Sequence, residues 1–148
     1  MAAALLRQLI EARGWREVAV ESAGLSALPG AGLSRGARGV LAERNLLLAH
    51  RARSFTGEMG ERAEIILTMT GEQKNRVLRL LPGRSEKVWT LGELARRAGP
   101  RHCLGRLLGT EPGPPAAGEP EDIFDPMGGT LEEYRCCLQK MEDILRGI

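Results

Sequence analysis

Ile65-Ile66-Leu67 form an unbroken apolar run within Ala63 to Met69, with none of the polar alternation that a strand with one wet face would carry. Such a run suits a parallel strand covered on both faces, and therefore a strand near the centre of its sheet. Parallel strands need helical crossovers, and the neighbouring segments supply them. Gly71 to Leu81 reads as a helix ended by Pro82-Gly83, Lys87 to Thr90 as a strand, and Gly92 to Ala98 as another short helix. Alternating elements of this length imply a small α/β domain with a parallel sheet.

The first segment is amphipathic. Leu5, Leu6, Leu9 and Ile10 share one helical face, and Gly14 follows as a residue suited to a left-handed C-terminal cap. No Ser, Thr, Asp or Asn precedes this helix to accept the free N–H groups of its first turn, so it looks cut off rather than begun. Glu17 to Ser22 reads as a short strand, and Gly24 to Ser34, rich in Gly, Pro and Ser, as a loop. Arg35 to Arg44 forms a weaker helix with Val40 and Leu41 inward, weakened by Gly36 and Gly39. Leu46 to Leu48 is a brief buried stretch, followed by a helical turn around Thr56 to Arg62. Near the C-terminus, Thr130 and Glu133 have capping-box spacing at the start of a closing helix. Its apolar stripe is Leu131, Tyr134, Leu138, Met141 and Leu145.

Composition narrows the partners. The 148 residues fit one compact domain over 1–148, interrupted by a Pro/Gly-rich loop insertion at 100–121. A balance of 21 basic against 19 acidic side chains gives no field that would draw nucleic acid or an anionic membrane. No apolar run approaches the ~20 residues of a membrane span. The short apolar stretch at residues 1–10 is broken by Arg7 and lacks a basic leader, so it does not read as a signal peptide. Three cysteines make no disulfide framework, which fits a cytoplasmic protein.

Four stretches then occur in one order and spacing: Glu21-Ser22-Ala23-Gly24, Leu48-Ala49-His50, Ile66-Leu67-Thr68-Met69-Thr70 and Asp122-Ile123-Phe124-Asp125-Pro126-Met127-Gly128-Gly129. Together they resemble the low-molecular-weight phosphotyrosine and phosphoarginine protein phosphatases over nearly all of the chain. The resemblance implies a small doubly wound parallel sheet flanked by helices. In that family a strand leads into a Cys-x5-Arg-Ser-Pro loop, directly followed by a helix that begins Met/Ile-Ala. Met1-Ala2-Ala3 occupies that helix start, so the first strand and the loop are expected to be missing, a piece of roughly 10 to 15 residues. No cysteine here is followed six residues on by arginine.

By the resemblance, Asp125 is the general acid that protonates the leaving group, and Pro126 fixes the backbone after it. Ser22 and His50 fall in a buried hydrogen-bond network that braces the phosphate loop. Leu28 and Met127 wall the substrate pocket. Many relatives place an aromatic where Met127 stands, which weakens a flat stack on phosphotyrosine and leaves phosphoarginine open. Asp122 either supports the acid loop or is a solvated loop acid. The implied partner is a phosphorylated protein, with inorganic phosphate as product, no cofactor, no metal, and a monomeric enzyme.

Two other readings stand beside this one. Arsenate reduction on the same fold needs further redox cysteines, and Cys136-Cys137 invite that thought. Adjacent helical residues point about 100° apart, so at most one of them can share the buried stripe. His102-Cys103 is a two-residue metal pair without further ligands. A non-catalytic binding or regulatory relative is the second alternative. Loss of a first strand between the Val18 and Ile66 strands would forfeit about 5 to 10 ladder bonds at ~0.5–1.5 kcal/mol each, on the scale of a domain's whole stability. The expectation is therefore that the true start lies upstream, and that residues 1–148 alone are inactive.

Overall fold

The computed structural model describes residues 1–47, 49–98 and 122–147. The elements are α1 (Ala2–Ala12), α2 (Arg35–Glu43), α3 (Gly57–Arg62), β1 (Ile66–Thr68), α4 (Gly71–Leu80), β2 (Val88–Thr90), α5 (Leu91–Ala98) and α6 (Leu131–Arg146). The architecture is α/β, a small parallel sheet flanked by helices. Two compact units divide it, one made of Met1–Ser54 with Asp125–Arg146, the other of Phe55–Phe124. No described helix is long and apolar enough to cross a membrane. The insertion at 100–121 and the His102-Cys103 pair lie outside the described residues.

In the first unit α6 packs against both α1 and α2. The helical spacing read from the sequence puts Tyr134, Leu138, Met141 and Leu145 in the core beside Leu5, Ile10, Val40 and Leu41. Leu131 departs from the stripe and is 41% exposed. It rests on Gly39, 3.0 Å from where a Cβ would sit, and a glycine has no side chain to cover the rest of it. Cys137 takes the vacant place on the buried face, while Cys136 is exposed. Glu142 is also buried. Its two carboxylate oxygens accept from Arg44 Nη1 and Arg146 Nη2, each at 2.5 Å, so the charge that α6 carries inward is paired on both sides.

The start of α2 is tied to α6 by one hydroxyl. Ser34 Oγ accepts the Ala37 N–H at 3.2 Å as N-cap and donates to Tyr134 Oη at 3.1 Å. The Tyr134 ring lies against Gly36, whose hypothetical Cβ would stand 2.4 Å from it. Glycine at this place is therefore a packing requirement, although it weakens the helix. At the end of α1, Gly14 has φ +70°, and Trp15 N–H reaches back to Ile10 O at 3.1 Å, the left-handed ending that its position implies.

The strand expected over Glu17 to Ser22 does not form among the described residues. Side chains occupy the carbonyls that a ladder would use. Arg7 donates to Val20 O through Nε at 3.1 Å and Nη2 at 2.7 Å, and Arg53 Nε donates to Ser22 O at 3.0 Å. Only Gly24 makes a bridge, parallel to Ser54. The brief stretch at Leu46 to Leu48 is half right, since Leu46 is buried and Leu47 is 50% exposed, while Leu48 lies outside the described residues.

The second unit is a β–α–β arrangement. β1 and β2 run parallel with Ile66 opposite Val88, Leu67 opposite Trp89 and Thr68 opposite Thr90, and α4 makes the crossover. Val77 and Leu81 of the crossover pack with Val88, Leu91, Leu94 and Ile123 in the core. β1 is less covered than its apolar run implies. Ile66 and Leu67 are half-buried, because the sheet has two strands among the described residues and β1 is paired along one edge.

Glu93 closes a capping box at the start of α5. Its Oε2 accepts the Thr90 N–H at 2.7 Å, and Thr90 Oγ1 accepts the Glu93 N–H at 3.0 Å. Lys74 of α4 lies 2.7 Å from the same carboxylate and stands over the Trp89 ring at 5.6 Å. Partial burial pushes the Glu93 carboxyl up, but the bonds from Lys74 and Thr90 outweigh it and hold the group below the ordinary 4.5.

Two predictions follow from this packing. Gly36→Ala gains up to ~1 kcal/mol of helix propensity, but the Tyr134 ring must move, at about 1–3 kcal/mol, so the urea midpoint should fall. A rise would show that the ring is free to give way. Glu93 has a depressed folded-state pKa, so its contribution is complete above 4.5 and is lost as pH falls through the folded value. Denaturant midpoints measured from pH 6 down to about 3 should therefore drop less steeply in Glu93→Gln than in the parent. Equal slopes would exclude Glu93 as a source of the acid sensitivity.

Candidate active site

Asp125 stands at the head of a run in which each polar group organises the next. Its Oδ1 accepts the Met127 N–H at 3.0 Å, closing a side-chain turn over Pro126. Gly129 N–H then donates to Pro126 O at 2.8 Å, with Gly128 at φ +83°, a value that favours glycine in the third position of this β-turn. Thr130 follows as the cap of α6. Its N–H and hydroxyl donate to Glu133 Oε2 at 2.6 and 2.9 Å, and its Oγ1 accepts the Glu133 N–H at 3.3 Å. These bonds hold the Glu133 carboxyl below its ordinary value. Turn and capping box thus fix Asp125 from its C-terminal side. The carboxyl itself is exposed, and among the described residues Oδ2 makes no hydrogen bond.

The same carboxylate lies within the electrostatic reach of the start of α1. The amino group of Met1 is pushed below its ordinary value by burial, against the opposing pull of Cys137 and Asp125. The first turn of α1 has no side-chain cap.

Cys137 sits in this neighbourhood but is unsuited to nucleophilic work. Burial pushes its thiol up, and Asp125 adds to the effect. A thiol that stays protonated is neither a good nucleophile nor a good redox partner. With Cys136 exposed and Cys137 buried, the pair of redox cysteines that arsenate chemistry would require finds no support here.

The remaining sequence-derived candidates are placed unevenly. Met127 is 74% exposed and Leu28 is 76% exposed. Leu28 is held by a turn in which its carbonyl accepts the Ala31 N–H at 3.1 Å. Ser22 is half-buried, with its carbonyl on Arg53. His50 is exposed and lines an open cleft of about 590 Å³ with Gly30, Gly32, Ala49 and Arg51. The buried network expected of Ser22 and His50 is thus not seen, because solvent reaches the imidazole. Cross-links between backbone segments support this cleft. Gly30 N–H donates to Ala52 O and Ala52 N–H to Ala31 O, both at 2.8 Å, and Gly24 N–H to Arg53 O at 2.9 Å.

Two contributors escaped the sequence reading. Arg7 and Arg53 act through backbone carbonyls, and such bonds leave no spacing to recognise. Asp122 was left undecided between support and solvation. Its Oδ1 accepts the Gly71 N–H at 2.8 Å, so the carboxylate is bonded within the protein as well as half-open to solvent.

Comparison with known proteins agrees with the fold. Residues 1–104 match the family described as low molecular weight phosphotyrosine protein phosphatase. A protein-arginine-phosphatase of Bacillus subtilis (strain 168) is 28% identical over 146 residues, covering 99% of this chain and 83% of the relative. A probable low molecular weight protein-tyrosine-phosphatase, EpsP, of Ralstonia solanacearum is 38% identical over 95 residues, covering 64% of this chain and 62% of the relative. Among solved structures, YwlE arginine phosphatase from Geobacillus stearothermophilus superposes with a TM-score of 0.76 at 29% identity, over 99% of this chain and 79% of that one. A YwlE mutant bearing a phosphorylated active-site serine gives a TM-score of 0.79 at 27% identity, over 99% of this chain and 82% of that one. By sequence and by structure, the chain belongs to the low molecular weight phosphotyrosine protein phosphatase family.

Proposed function

We propose that this chain carries the acid half of a protein phosphatase site, with Asp125 as general acid and a phosphorylated protein as substrate. The thiolate and the phosphate-binding arginine belong to a Cys-x5-Arg loop that the 148 residues do not contain. The carrying observation is Asp125 itself, followed by Pro126 and with its Oδ1 closed on the Met127 N–H at 3.0 Å.

The chemistry divides into two steps. A thiolate attacks phosphorus and the bond from phosphorus to the leaving group breaks, while protonated Asp125 gives its proton to the departing phenol oxygen or guanidine nitrogen. The Asp125 carboxylate then takes a proton from water as that water attacks the cysteinyl phosphate. Inorganic phosphate leaves and the thiolate is restored. The start of α1 contributes N–H groups to the phosphate oxygens in both steps.

Phosphoarginine is the favoured substrate. The curated arginine phosphatases match 98–99% of the chain, against 64% for the tyrosine phosphatases. The unbranched Met127 side chain beside the acid accommodates a flexible guanidine stem more readily than it stacks on a phenyl ring. A monomer acting in the cytoplasm completes the reading.

Residues 1–148 alone should show no measurable hydrolysis of an aryl phosphate in a continuous assay. Joined to a strand and loop bearing Cys-x5-Arg, the chain should turn over, and Asp125→Ala should then slow it by roughly 10²–10⁴. Robust activity of residues 1–148 by themselves would mean that another nucleophile is at work. No activity in the joined form would favour a binding or regulatory module instead.

A further inference from the structure

We propose that the cleft beside His50 is a docking site for a carboxylate-rich stretch of the phosphorylated protein substrate. The phosphatase reading above supplies the identity of the partner, and the cleft supplies the binding chemistry. Gly30, Gly32, His50 and Arg51 line a hollow of about 590 Å³. A smaller one of about 160 Å³ shares Gly32 and His50 with it and adds Arg38 and Leu47. Both lie in the first unit, before Ser54. The larger falls in the ~300–1,000 Å³ range of sites for drug-sized ligands, room for a short peptide segment rather than for a single small anion.

Local structure explains how the hollow stays open and what it presents. Gly30 has φ +82°, and no atom lies within 4 Å of where its Cβ would stand. Arg38 sits near the start of α2, with its N–H on Ser34 O at 2.9 Å. Its Nη2 lies 3.6 Å from the place of a Cβ on Gly32, so the guanidinium runs along the bare side of that glycine. Leu47, 50% exposed, adds an apolar surface for the methylenes of an acidic side chain.

The charge of the cleft is of one sign. Among the described residues no carboxylate lines either hollow. In the same unit Arg7 is bonded to a carbonyl, and Arg44, Arg53, Arg135 and Arg146 to carboxylates. Arg38, His50 and Arg51 are exposed, and their side chains make no hydrogen bond or ion pair among the described residues. Two guanidinium forks and a ring N–H therefore face one concavity with donors to spare, and a fork matches a carboxylate with two parallel bonds. Gly30 is two residues beyond Leu28, a wall of the substrate pocket in the reading above, so their Cα atoms stand within about 7 Å. A peptide whose phosphoresidue rests on Leu28 reaches the cleft within a few residues.

The test begins on the 148-residue chain, with a blocked tetraglutamate peptide titrated at low salt while amide shifts are followed. Shifts should gather at Gly30, Gly32, His50 and Arg51 and fade as salt is raised. Arg38→Gln with Arg51→Gln should weaken binding by about tenfold, and either change alone by about threefold; the same spectra show that the variants stay folded. Shifts scattered elsewhere, unaltered binding in the variants, or an equal response to inorganic phosphate would overturn the proposal. In the chain joined to a Cys-x5-Arg loop, the double variant should raise KM about fivefold on a phosphoarginine peptide flanked by glutamates. Its kcat should stay within about twofold, and its KM on an alanine-flanked peptide or on phenyl phosphate should not change. An unchanged KM on the glutamate-flanked peptide would overturn the docking role. Asp125→Ala, by contrast, should lower kcat on all three substrates. Its failure to do so would sink the general-acid reading and leave the tetraglutamate titration to decide the cleft.

Discussion

A helix start leaves N–H groups that no residue of the same helix can accept, and the way this chain meets that demand orders much of its structure. Ser34 caps α2, Thr56 caps α3, Thr70 caps α4, Thr90 with Glu93 caps α5, and Thr130 with Glu133 caps α6. Among the described residues, α1 and the short 3-10 turn at Ser85–Lys87 start without a side-chain cap. Five helix starts thus share one device, a hydroxyl that accepts an N–H of the first turn, and at two of them a glutamate returns the bond.

Much of this was legible in the residues. Periodicity found α1 and α6, because burial on one face has to repeat at the helical turn, and the Thr130 and Glu133 spacing located the start of α6, while the short 3-10 turn at Ser85–Lys87 went unread. The failures share a cause. The Glu17–Ser22 segment has the composition of a strand, but pairing is a property of the partner, and Arg7 and Arg53 took carbonyls that a ladder would have used. Leu131 fits the stripe by spacing, yet the surface it meets is a glycine. The continuous apolar run at Ile65 to Leu67 correctly announced a parallel strand, but gave no measure of how much would cover it.

At the site, residue type carried further than environment. Asp125 with Pro126 was recognisable from its motif, whereas the exposure of His50 was not, because nothing in the sequence around a histidine records whether solvent reaches it. Asp122 shows the gap most clearly. Its partner is the amide of Gly71, a group that every residue but proline possesses, so no pairwise signature could have revealed it. Cys136 and Cys137 illustrate the reverse, since helical geometry alone required their environments to differ.

The bond between Ser34 and Tyr134 joins residues 100 positions apart, and α6 completes a core whose other helices lie before Ser54. The segment before Ser54 therefore finds part of its packing surface on α6, far along the sequence. The amphipathic faces of α1 and α2 must wait for the last segment of the chain. Closure over such a distance is slow, so the Ser34–Tyr134 bond belongs to the late contacts of the fold.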